Sequence, residues 1–165
     1  MSSATILDTT IDSSFMRADL VGGSAYVRCG DAVATYDEIA IAAQGFAAWL
    51  AGEGVQRQDR VALWLPNGIS WIVAHVGVAA AGAVCVPIST KLTTREASYI
   101  LRHADVAAVV TIAEFLGRGY AHEARGSSSL RGCGGPWLLL MRRTKRCRAA
   151  PVPPWLDRNP MTPPC

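Results

Sequence analysis

Apolar and polar positions along this chain change period several times, and each change marks an element. Residues 24–36, SAYVRCGDAVATY, hold two short β-rich runs around Gly30-Asp31, which predicts a hairpin turning at the glycine. From Thr35 the period becomes helical. Ile39, Ala43, Phe46 and Leu50 recur on one face of a 3.6-residue repeat. Thr35, with Glu38 three residues on, forms a capping box, and Gly52 and Gly54 supply the stop.

An alternating series follows. RVALWL (60–65) is a short apolar run ended by Pro66-Asn67, the pattern of a buried strand. Residues 69–81 suit a helix that is apolar nearly all round and closed by Gly82, and AVCVPI (83–88) is a second buried strand. Thr93 and Glu96 make another capping box, behind which Ala97, Ile100, Leu101 and Ala104 form the inward face of a helix. AAVVTI (107–112) is a third strand. Continuously apolar strands alternating with helices predict a parallel sheet covered on both faces. Residues 60–112 are therefore expected to be a βαβαβ unit with right-handed crossovers.

After AEFLGRGYAHEAR (113–125) the pattern stops, and an irregular tail is expected from residue 126 to 165. Charge divides at the same place. Residues 1–125 carry 9 Lys and Arg against 12 Asp and Glu, whereas residues 126–165 carry 7 basic residues and one acid, Asp157. Seven of the nine prolines also lie in the tail. The division predicts a partial α/β domain over 1–125 and a basic Pro/Arg/Gly-rich segment over 126–165, disordered or translated out of frame. Its sharpest feature, RRTKRCR (142–148), has a functional reading as a phosphate-binding or nuclear-targeting patch. Its competing reading is arginine-rich translation of a shifted frame, which no folded scaffold presents.

The five cysteines, Cys29, Cys85, Cys133, Cys147 and Cys165, are odd in number and contain no CxxC pair. Neither a disulfide framework nor a zinc site is expected. Cys29 and Cys85 lie in apolar strand-like runs, where a free thiol acts as a small hydrophobe, and this fits a cytoplasmic protein. Residues 69–88 contain no charged side chain, but His75, two glycines, Pro87 and many alanines favour a buried helix, turn and strand over a membrane span. The N-terminus has acids at Asp8, Asp12 and Asp19 and no apolar signal region.

Motifs of nucleotide chemistry are missing from the places that would give them meaning. The turn after Leu65 is PNGIS, with one glycine rather than GxGxxG, and no GxxxxGK[ST] or GxSxG occurs. His75, His103 and His122 are not at metal-ligand spacing. His75 reads as a core histidine and His103 as a partner of a helix C-terminus. Asp37 and Glu38 read as helix-start carboxylates, and Trp49, Trp64 and Trp71 as packing residues.

Three ordered stretches carry a family resemblance. TYDEI (35–39) is similar to a Thr-Tyr-x-Glu-Leu motif, with Ile39 for leucine. GVQRQDRVALWLPN (54–67) is similar to a Gly-Val…Gly-Asp-x-Val-Ala stretch, with Gln58 where glycine is usual. AAAGAVCVPIS (79–89) is similar to a motif of Ala-Gly-Ala…Pro-(Leu/Ile). Over roughly residues 5–125 the chain thus resembles the opening of an adenylate-forming (AMP-binding) enzyme, most like the N-terminal part of an acyl-CoA synthetase or fatty-acid–CoA ligase.

The resemblance implies ATP-dependent acid–thiol ligation. A carboxylate attacks the α-phosphate of Mg-ATP, giving an acyl-adenylate and pyrophosphate, and CoA then displaces AMP. Carboxylic acid, ATP, Mg and CoA are thus the partners implied for the full-length family, in fatty acid metabolism. The family's phosphate loop, adenine and ribose contacts and mobile catalytic lysine lie further along a full-length member. GSSSLRGCGG (126–135) lacks the threonines and the Pro-Lys-Gly ending of that loop. No catalytic, cofactor-binding or metal residue is therefore assigned, no cofactor is expected to bind these residues, and the chain is expected to be a truncated ligase, inactive alone. A rival reading is a small non-enzymatic α/β binding module with a basic nucleic-acid-binding tail. It predicts salt-dependent binding lost with residues 126–165.

Overall fold

The computed structural model describes residues 23–127, 131–133 and 137–141. The chain opens with an antiparallel hairpin, β1 (Ala25–Cys29) and β2 (Ala32–Thr35). Gly30 turns it at φ +58, a conformation costly to any residue with a Cβ. Helix α1 (Tyr36–Glu53) starts at Thr35 with both halves of the predicted capping box in place. Its predicted inward face, Ile39, Ala43, Phe46 and Leu50, is buried. Gly54 ends it at φ +98, while Gly52 lies inside the helix rather than stopping it.

The expected alternation then appears in order: β3 (Arg60–Trp64), α2 (Ile69–Ala80), β4 (Val84–Pro87), α3 (Thr94–His103) and β5 (Ala108–Ile112). β3 pairs in parallel with β4 on one side and with β5 on the other. Strand order β4-β3-β5 reverses direction at β3, so right-handed crossovers put α2 and α3 on opposite faces. α1 packs on α2, and α3 packs on α4 (Tyr120–Ser127). The core is the sandwich between these layers: Val61 to Trp64 and Ala108 to Val110 have no exposed surface.

Close packing of α1 on α2 depends on Gly77. A Cβ there would stand 2.8 Å from the Ala43 carbonyl oxygen and 2.8 Å from the Phe46 ring. Thr93 and Glu96 form the second predicted capping box. Gln58, at the position where the resembled family has glycine, adopts φ +67 and donates its backbone N–H to Gly82 O at 2.8 Å. The left-handed conformation is the physical reason glycine is favoured at that point.

Three expectations change. β4 is half-exposed, not buried, with Val84 at 42%. It lies at the edge of the sheet, a placement that an apolar run alone does not reveal. Cys29 is disulfide-bonded, contrary to the free-thiol expectation, while Cys85 is a free, half-buried thiol whose burial pushes its pKa up to about 11. Cysteine parity and spacing carry no information about approach in space. Finally, the sheet does not end where the alternation ends. β6 (Arg131–Cys133) and β7 (Trp137–Met141) extend it, and β7 runs antiparallel to β5 over all five residues, Ala108↔Met141 to Ile112↔Trp137. Residues 142–148, with the basic run, lie outside the described residues. Among those described, no helix is long and apolar enough to cross a membrane.

Candidate functional site

In an open parallel sheet, ligands bind beyond the carboxyl ends of the strands where strand order reverses. Here that place lies past Trp64 of β3 and Ile112 of β5, and it is filled by one cluster. Leu116 and Gly117, at φ +50 and +76, make a two-residue turn closed by reciprocal backbone bonds between Phe115 and Arg118, each 3.0 Å. This turn aims Arg118 back across the sheet end.

Arg118 is held from every side. Its Nε and one Nη donate to the two carboxylate oxygens of Glu123 at 2.8 and 2.7 Å. Its other Nη donates to the carbonyls of Thr90 and Leu92 at 2.9 and 2.7 Å. The guanidinium lies 5.4 Å from the Trp64 ring centroid and 4.8 Å from that of Tyr120. The two rings meet edge to face, and the Tyr120 hydroxyl also donates to Thr90 O at 3.0 Å. Thr94 donates its hydroxyl to Glu123. The hydrogen bonds from Arg118, with burial opposing and Thr94 assisting, hold the Glu123 carboxyl down to about 2.

The chemistry of this cluster is that of a clasp. An arginine has five N–H donors in a fixed fork, and four are committed to protein oxygens. The carboxylate accepts from two side chains. Neither group is available to grip a phosphate or to transfer a proton. What the cluster does is join the loop after β4, the start of α3, the end of β3 and the first turn of α4.

The histidines weighed from the sequence do not converge. His75 stacks on Trp71 in α2, 5.1 Å between centroids, and burial lowers its pKa. Its Nδ1 and the Trp64 Nε1 are buried without a hydrogen-bond partner in this structure. His103 stacks on Tyr99 at the end of α3, and His122 lies in α4. Among the described residues no group of three His, Cys, Asp or Glu could hold a metal. Glu38 serves the Thr35 cap, Asp37 sits in the first turn of α1, and Trp49 packs on Phe46. One cleft of about 390 Å³ lies between the hairpin, α1 and α2, lined by aliphatic residues such as Val33, Ile41 and Ile69, with Glu38 and Ser70 as polar members. Sequence reasoning missed Arg118 and Glu123. Their five-residue separation and the Leu-Gly turn between two runs were the available signals.

Comparison with known proteins gives these features a context. The family model described as AMP-binding enzyme matches residues 19–144, past the point where the sequence resemblance fades. A curated CoA ligase of Rhodococcus jostii (strain RHA1), named for a 7a-methyl-1,5-dioxo-octahydro-indenyl propanoyl group, is 37% identical over 122 residues. That match covers 73% of this chain and 24% of the relative. A medium/long-chain-fatty-acid–CoA/3-oxocholest-4-en-26-oate–CoA ligase of Mycobacterium tuberculosis is 33% identical over 92 residues, 56% of this chain and 17% of the relative. Among solved structures, VinN in complex with 3-methylaspartate superposes with TM-score 0.65 and 25% identity, covering 72% of this chain and 32% of VinN. The chain thus spans a quarter or less of the length of these curated relatives.

Proposed function

The chain belongs to the AMP-binding enzyme family, and from that premise we propose that its residues form the N-terminal scaffold of an ATP-dependent acid–CoA ligase. The carrying observation is the match over residues 19–144 joined to the βαβαβ unit at 60–112. The reaction is adenylation of a carboxylate followed by thioester formation with CoA. The acid is large and apolar, a reading supported by the names of the relatives in Rhodococcus and Mycobacterium.

The described residues do not fit ATP or Mg. Arg118, at the sheet's carboxyl end, has four of its five N–H donors bonded to protein oxygens, no group of three His, Cys, Asp or Glu among the described residues could hold a cation, and no glycine-rich turn follows β3. Transition-state stabilisation of phosphoryl chemistry needs preorganised donors at the transferring group. We therefore assign these residues the support of an adenylation site, not its chemistry, and derive no catalytic step through them. ATP–pyrophosphate exchange with the purified chain and a panel of fatty, aromatic and sterol-derived acids tests this. Exchange at the level without enzyme is expected. Acid-dependent exchange overturns the assignment.

A further inference from the structure

In the run β4-β3-β5 the sheet grows past β5, and a further right-handed β-α unit would add its strand in parallel beside β5. That position is taken. β7 occupies it in the opposite direction, matched residue for residue with β5, and β6 then folds back on β7. β5 is AVVTI, all five residues buried. Exposed, such a segment is a template for pairing with another strand: β-branched, uncharged and free of proline.

We infer that β7 is a closing strand, whose role is to deny the β5 edge to a second copy of this chain. Backbone pairing over five residues satisfies the outward N–H and C=O groups of β5, leaving β4 and β6 as the outer strands of the described sheet. β4 is short, and it ends at Pro87, which has no N–H to offer a neighbour. The tail-side segment is thus an integral part of the sheet, whatever the origin of its composition. Removal of β7 converts a self-closed unit into one that dimerises through paired β5 edges.

The test compares the whole chain with Leu139→Pro and Leu139→Ala. Proline removes an N–H and clashes in mid-strand, while alanine keeps the backbone able to pair. In the wild-type chain, NMR is expected to show interstrand Hα–Hα contacts between β5 and β7, and sedimentation a monomer. Leu139→Ala behaves the same. Leu139→Pro loses those contacts and sediments as a dimer or larger species that grows with concentration. Absence of the β5–β7 contacts in the wild-type chain overturns the inference. So does a folded Leu139→Pro chain that stays monomeric. A Leu139→Pro chain that unfolds outright overturns it too, because a cover can be lifted without collapse of what it covers.

Discussion

Gln58 is one of three non-glycine residues, among those described, whose backbone takes a positive φ. Its φ of +67 places a side chain in the left-handed region, which costs an ordinary L-residue about 1–2 kcal/mol. Gln58→Gly is expected to stabilise the fold, by about 0.5–1 kcal/mol after the greater chain entropy of glycine is set against the relieved strain. Urea denaturation followed by tryptophan fluorescence reads the change, and a lower midpoint than wild type contradicts it. Gly77 makes the opposite case. Its added Cβ would meet a backbone carbonyl, which cannot move aside as a flexible side chain can. Gly77→Ala is expected to lose about 1–3 kcal/mol in the same measurement. At this scale the sequence was most readable where partners are three residues apart. Both capping boxes were visible because Thr35 reaches Glu38 and Thr93 reaches Glu96 within one helical turn. Arg118 was not, since it bonds carbonyls 26 and 28 residues back in the chain. The Cys29 disulfide was invisible because the number and spacing of cysteines do not say which of them approach in space.

Among the elements, α4 packs on the core through buried Tyr120 and Ala124 and is tied to the loop after β4 by the Arg118–Glu123 pair, whose Glu123 side chain is 21% exposed. Folding lowers the Glu123 pKa from 4.5 to about 2. A depressed carboxyl contributes stability that is complete above its unfolded pKa and is lost as pH falls through the folded one. Glu123→Gln is therefore expected to be less stable than wild type at neutral pH, with the gap shrinking below pH 4.5 and closing near pH 2. Thermal unfolding of both chains across that range checks it, and a gap that is constant with pH contradicts the ion pair's role. Element types and order over 24–112 could be read because period and caps are local signals. Burial rank could not. β3, β4 and β5 look alike as apolar runs, yet β5 is the middle strand of five, β3 lies between β4 and β5, and β4 is an edge. β7 was missed because WLLLM, though as apolar as the other strands, stands outside the strand–helix series with no flanking cap or turn signal, and its partner β5 lies some way back in the chain.

At the scale of the whole fold, β3, β4 and β5 of the described residues form a parallel unit whose carboxyl-end crevice holds the Arg118 clasp and whose β5 edge is paired with β7. The family match states what such a unit belongs to, and the geometry states what it offers. The clasp at the crevice bonds protein to protein, so the place where an open α/β sheet ordinarily receives a ligand is used here for internal support. The missing motifs left no residue of the sequence to assign to catalysis. That the crevice is filled by Arg118 needed coordinates. The most direct measurement is a titration of the isotope-labelled chain with MgATP, following backbone amide shifts. Shifts that stay unsaturated, and are spread without focus over the surface at millimolar nucleotide, are the predicted result. Saturable shifts centred on residues 64–69 and 113–120 would contradict the account, since they would mean the clasp yields to a nucleotide.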